Sequence, residues 1–185
     1  MDKKYSLEQT ISSLLENKRY SSVKDILVTL NAVDIAAIFG ELSEDALPLL
    51  FRLLPKELAA DAFVEMDADR QESLITRFSD TELKAVIDEL YIDDAVALVE
   101  EMPANVVKRI LKHSDPEMRK SINEILKYPE DSTGSIMTTE FVFLHPDATV
   151  EESFARIRSV GIDKETIYTC YVTQNRVLLG VVTVR

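Results

Sequence analysis

The sequence predicts a mainly α-helical fold, a right- or left-handed superhelix of short helical hairpins, followed by a partial α/β unit in the order β-α-β-β. Three observations carry this. Apolar residues recur at i, i+3 and i+4 through residues 1–128, with few glycines and short polar breaks. From Asp34 onward a pattern of about two dozen residues repeats four times, the length of a helical hairpin. After Pro129 the composition turns to Thr, Ser and β-branched or aromatic residues. The chain is therefore read as two domains, an acidic helical-repeat domain over 1–128 and a connector with a small α/β domain over 129–185.

The first two apolar stripes are Leu7, Ile11, Leu14, Leu15 and Val23, Ile26, Leu27, Leu30, each the core face of an amphipathic helix. The first helices of the four repeats read 34–42, 57–66, 82–90 and 105–113. They open with Asp34, Glu57, Glu82 and Asn105, acidic or amide residues that can interact with free helix N–H groups. The second helices read 43–55, 67–79, 92–103 and 114–129, three of them ending at Pro55, Pro103 and Pro129. Proline lacks a donor and disfavours helical geometry in the residue before it, so each is a stop. Pro48 and Pro116 sit early in their helices, where proline is tolerated. A short amphipathic hairpin cannot bury its apolar face alone, so neighbours must stack.

In the C-terminal region, Thr149 and Glu152 form a capping-box pattern, and the helix they open runs to Gly161. Two β-rich runs follow, 166–174 and 177–184, joined by Asn175-Arg176 as a two-residue hairpin turn.

Composition bounds the chemistry. With 46% hydrophobic residues among 185, the chain can bury a sizeable core. A net charge of -12 and a pI near 4.6 argue against a nucleic-acid surface, which needs clustered Lys and Arg, and favour cations or basic partners. Between Glu57 and Glu101 fourteen acidic residues face three basic ones, Arg70, Arg77 and Lys84. The single cysteine, Cys170, excludes an intramolecular disulfide and a thiolate zinc cage and suits a reducing, cytosolic compartment. The N-terminus lacks the apolar stretch of a signal peptide. No run approaches the roughly 20 apolar residues of a membrane-spanning helix. Any spanning part is expected outside this chain.

Residues 128–142 (YPEDSTGSIMTTEFV), 149–173 (TVEESFARIRSVGIDKETIYTCYVT) and 176–185 (RVLLGVVTVR) together carry a resemblance. In order and spacing they resemble the segment of MgtE-type magnesium transporters that leaves the helical N domain and enters the first CBS domain. The repeats upstream resemble that N domain. The resemblance implies a homodimeric membrane transporter whose cytosolic part senses Mg2+, with ions bound among acidic residues favouring a closed, compact state. It also implies that the CBS domain continues past Arg185, and that the second CBS domain, the connecting helix and the membrane domain lie beyond this chain. On this reading the chain is not an enzyme. CBS modules in general resemble adenine-nucleotide sensors, so ATP is expected only for the full-length protein. Two alternatives stay open: an adenine-nucleotide-sensing module and a metal-independent helical interaction scaffold.

Within that frame the resemblance places a magnesium-binding carboxylate at the start of the helix in IDDAVALVEE, so Asp93 and Asp94 are the candidate metal ligands, Asp93 the better match. A further carboxylate expected one turn later is replaced by Ala97. Mg2+ prefers oxygen ligands and keeps several waters, so one or two carboxylates suffice for a partly outer-sphere site. The alternative role for the same residues is favourable interaction with the helix dipole. Other candidates read as structural. His113 and His145 have no His or Cys companions at ligand spacing. Ser132, Ser135 and Thr138 near Gly134 match neither a phosphate loop nor a nucleophile elbow. Cys170 shares a strand face with Tyr168 and Val172 and reads as core.

Overall fold

The computed structural model describes residues 6–129, 131–161, 164 and 166–184. The helices are α1 (Leu7–Glu16), α2 (Tyr20–Leu27), α3 (Ala32–Glu41), α4 (Leu47–Leu53), α5 (Lys56–Val64) and α6 (Ala68–Arg77). They continue as α7 (Asp80–Ile87), α8 (Ile92–Glu101), α9 (Ala104–His113) and α10 (Pro116–Ile125). Then come β1 (Phe143–Leu144), α11 (Val150–Val160), β2 (Thr169–Gln174) and β3 (Val177–Thr183). The chain divides into two compact units. One holds the residues up to Leu90 with Ala97–Arg119, the other Tyr91–Val96 with the residues from Lys120 onward.

In the first unit the odd-numbered helices pack in one row, α1 on α3, α3 on α5, α5 on α7 and α7 on α9, and the even-numbered α2, α4 and α6 form a second row. This is the stacked-hairpin arrangement that the repeat predicts. It begins one hairpin earlier than the repeat does, because α1 and α2 pack as a pair and join the same two rows. Their stripes are core faces as expected at Ile11, Val23 and Leu27, all fully buried, while Leu7 at the edge is exposed.

Phe51 is the hub of this core. Its ring lies 5.3 Å from Phe39, 6.4 Å from Phe63 and 5.7 Å from Phe78, tilted or edge-on in each case. Four successive helices or their ends thereby meet at one side chain, in the geometry that aromatic quadrupoles favour.

The first helices of the repeats start one or two residues earlier than the sequence suggests, whereas α4, read from Ser43, starts only at Leu47. Asn31 caps α3, its Oδ1 accepting from Asp34 N–H at 2.8 Å. Ser79 caps α7 in a reciprocal box with Glu82. Asp34 and Glu82 are thus third residues of their helices rather than openers. Pro55 and Pro103 each end one segment and stand at the N-cap of the next helix, where a missing N–H costs nothing.

Two arginines satisfy carbonyls at helix C-termini across the stack. Arg70 of α6 donates to the carbonyls of Phe39, Gly40 and Leu42 at the end of α3. Arg109 of α9 donates to Ile75 and Phe78 at the end of α6 and to the Asp80 carboxylate. A cation placed on orphan carbonyls there gains both hydrogen bonds and the favourable end of the dipole. Arg77 pairs with Glu44 and Asp45, and Lys84 with Asp88. The three basic residues of the acidic stretch therefore all hold structure together.

In the second unit β1 runs parallel to β2 and β2 antiparallel to β3, in the order β1-β2-β3. This is the expected β-α-β-β sequence, although the long extended stretch after Pro129 contributes only the two residues of β1. Val142, Leu144 and Cys170 form its core, with Ile157 and Val160 of α11 packed on them. The Thr149–Glu152 capping box is formed. Asn175 and Arg176 both adopt positive φ, 52° and 66°, as a type I′ hairpin turn requires. Tyr168 departs from expectation: it lies outside β2 and is 72% exposed, while Cys170 is fully buried. Gly134 is dictated by a close approach, since a Cβ there would come within 2.3 Å of the Tyr128 ring.

Candidate functional site

Helix α8 has Tyr91, rather than Ser, Asp or Asn, at its cap position. Ala95 N–H donates to Tyr91 C=O at 3.0 Å, which makes Tyr91 the N-cap residue. Its phenol is far too long to fold back onto the first-turn N–H groups as Ser, Asp or Asn does. An acceptor comes from elsewhere in the same unit: Ile92 N–H donates to Glu140 Oε2 at 2.8 Å, across 48 residues of sequence. Glu140 lies between α10 and β1, and its own N–H donates to Thr138 Oγ1 at 3.1 Å.

Asp93 and Asp94 occupy the first turn of α8 and are both half-buried. The Oδ1 atom of Asp93 is shielded from solvent and has no hydrogen-bond partner among the described residues. A shielded carboxylate oxygen without a donor is costly unless a cation or water serves it. Ala97, one turn on, is exposed. Among the described residues no three Asp, Glu, His or Cys side chains are grouped to hold a metal. The start of α8 therefore offers an incomplete oxygen set. A cation that retains its own water shell fits such a set better than one that needs a full protein cage.

Of the remaining candidates, His113 Nε2 and Ser132 Oγ are, like Asp93 Oδ1, buried without a hydrogen-bond partner among the described residues. His113 Nε2 lies 3.3 Å from Asp80 Oδ2. Hydrogen bonding from Arg109, helped by the His113 charge, holds the Asp80 carboxyl below its usual range. Ser135 Oγ donates to Ser132 C=O at 2.8 Å, and Thr138 Oγ1 receives Glu140 N–H. Burial pushes the Cys170 thiol up, away from the reactive thiolate. Cys170 and His145 line an open, mostly apolar cleft of about 250 Å³ between α11 and the sheet, with Phe154, Ile157 and Val184. Glu140 escaped the sequence reading because its partner is distant in sequence. The readable signal was the absence of a capping residue at position 91.

Stacked helical hairpins joined to a small β-α-β-β unit define a helical-repeat protein. The chain belongs to the family described as the MgtE intracellular N domain, whose model matches residues 30–131. It is 27% identical over 184 residues to the magnesium transporter MgtE of Thermus thermophilus, covering 97% of this chain and 41% of that protein. It is 28% identical over 192 residues to the magnesium transporter MgtE of Enterococcus faecalis, covering 42% of it. The chain thus spans about two-fifths of the length of these relatives. Among solved structures, the cytosolic domain of the Mg2+ channel MgtE in complex with ATP superposes with a TM-score of 0.87 at 26% identity, over 96% of this chain and 73% of that one. The soluble part of a magnesium transporter shares the fold at a TM-score of 0.82 and 24% identity, over 95% of this chain and 70% of that one. No helix among the described residues is long and apolar enough to cross a membrane.

Proposed function

We propose that this chain is the magnesium-sensing, gating part of a magnesium transporter, with Asp93 as the leading ligand and Asp94 beside it. The observation that carries the reading is the shielded, unpartnered Oδ1 of Asp93 at the start of α8, in a chain whose relatives are magnesium transporters. Residues 1–128 would act as the acidic N domain and 129–185 as the connector and the first part of a CBS domain. The full-length protein would be a membrane homodimer with this part on the cytoplasmic side. Acidic faces brought together repel when the ion leaves, and an ion that binds the closed state more tightly shifts the population toward it. The test is a thermal melt with small-angle scattering at constant ionic strength, in chelator, in millimolar magnesium and in matched monovalent salt. A magnesium-specific rise in stability or compaction is expected. An effect no larger than that of matched salt would leave the metal-independent scaffold as the better account.

A second reading concerns the cleft beside Cys170. Its apolar lining suits the flat face of a purine, and a structural neighbour was crystallised with ATP. Stabilisation of this chain by ATP, lost on Phe154→Ala, would support an adenine-nucleotide site; no stabilisation would exclude one within this chain.

A further inference from the structure

We propose that Glu140 is a strap residue, whose carboxylate fastens the connector between α10 and β1 to the start of α8, and that a cation at Asp93 tightens this fastening. The second half rests on the reading of Asp93 as a cation ligand; the first half stands without it.

Six helices carry their own side-chain caps, α10 among them through Asp115, which accepts from Met118 N–H. Ser6, Asn31, Asp67, Ser79 and Thr149 each accept from the N–H three residues on. Helix α8 has Tyr91 in that place, and its first N–H, that of Ile92, is served from a distance. Glu140 supplies the acceptor at 2.8 Å. An ionised carboxylate there makes a charge-assisted bond and meets the positive end of the helix dipole. The connector turns locally before this residue and is held to the sheet just after it. Thr138 Oγ1 receives Glu140 N–H, and Val142 C=O accepts from Tyr171 N–H of β2 at 2.9 Å. Only one residue separates Glu140 from Val142, so the strap ties the edge of the sheet directly to α8.

Glu140 acts by position rather than as a ligand. One of its oxygens is committed to Ile92, and it belongs to no three-residue metal group among the described residues. Its influence on a cation comes from charge. Asp93 and Asp94 directly follow Ile92, so the strap brings a third carboxylate to the same helical turn. Like charges there oppose one another, and a divalent cation relieves the opposition. Linkage makes the coupling reciprocal: if the cation favours the fastened strap, the fastened strap favours the cation.

The test uses the 185-residue chain with Glu140→Ala and Glu140→Gln, reading Ile92 amide hydrogen exchange and the magnesium midpoint of thermal stabilisation at constant ionic strength. Glu140→Ala is expected to speed Ile92 exchange about 10-fold, the loss of one net hydrogen bond, and to raise the midpoint roughly 2- to 5-fold, the effect of one nearby surface charge. Glu140→Gln keeps an acceptor oxygen, so it should preserve Ile92 protection while still raising the midpoint. A role confined to folding would not separate the two readouts in this way. Unchanged Ile92 exchange in Glu140→Ala overturns the strap, and a wild-type midpoint in Glu140→Gln overturns the coupling; if the Ala variant does not fold, Glu140→Asp, whose side chain is one methylene shorter, takes its place in the exchange test. A wild-type chain indifferent to magnesium overturns the cation reading and the coupling with it, and the strap is then decided by Ile92 exchange alone.

Discussion

Substituting Asp93 separates its two candidate roles by whether the stability change depends on magnesium. If Asp93 serves the helix dipole, Asp93→Ala forfeits about 0.3 to 1 kcal/mol in any buffer, and Asp93→Asn, which keeps a polar oxygen, costs little more than the lost charge. In chelator a second contribution acts in the opposite direction, whichever role Asp93 has. The Oδ1 atom is shielded and unpartnered, so removing the carboxylate relieves a desolvation penalty of about 1 to 3 kcal/mol. Against the dipole loss this leaves Asp93→Ala more stable than wild type by up to about 2.7 kcal/mol without metal. With magnesium at ten times its dissociation constant the wild type gains about 1.4 kcal/mol, or roughly 3 to 6 °C for a chain of this size, and neither variant should follow it. The assay is differential scanning calorimetry in chelator and in graded magnesium at fixed ionic strength. An Asp93→Ala chain that still responds fully to magnesium would refute the ligand role and leave Asp93 as a helix-end charge.

Three further outcomes follow from the packing and the charges. Phe51→Ala removes the ring on which Phe39, Phe63 and Phe78 converge and should destabilise the first unit by about 3 to 5 kcal/mol; chemical denaturation showing under about 1.5 kcal/mol would mean that the stack closes over the gap. Arg176→Gly frees the φ of 66° from its Cβ penalty and should stabilise the β2–β3 hairpin by about 1 kcal/mol, seen as slower amide exchange across β2. The Arg52 hydrogen bond, followed by that of Ser79, lowers the Glu82 carboxyl from 4.5 to about 2. Because the folded value lies below the ordinary one, its contribution is complete above about pH 4.5 and is lost as pH falls toward 2. Glu82→Gln should flatten the acid limb of the stability profile in that window, and an unchanged limb would place the titration elsewhere.

What the sequence determined by itself is local. Apolar spacing located the helices, because burying one face of a 3.6-residue period constrains every turn alike. The Thr149–Glu152 box, the Asn175-Arg176 turn and the early Pro48 and Pro116 were readable because each acts on neighbours within four residues. Boundaries were less legible: Asp34 and Glu82 looked like openers, yet Asn31 and Ser79 were the caps, since an acid at the third position and one at the cap present similar patterns. Asp93 and Asp94 could be placed at a helix start, but the shielded Oδ1 that distinguishes Asp93 depends on what surrounds it. The tertiary structure alone decided the contacts between distant segments. The convergence of rings on Phe51, the carbonyls held by Arg70 and Arg109, and the reach of Glu140 to Ile92 join residues from 12 to 48 positions apart. Such pairings leave no periodic trace, because they arise only once each unit has been brought together by the burial of its own apolar faces.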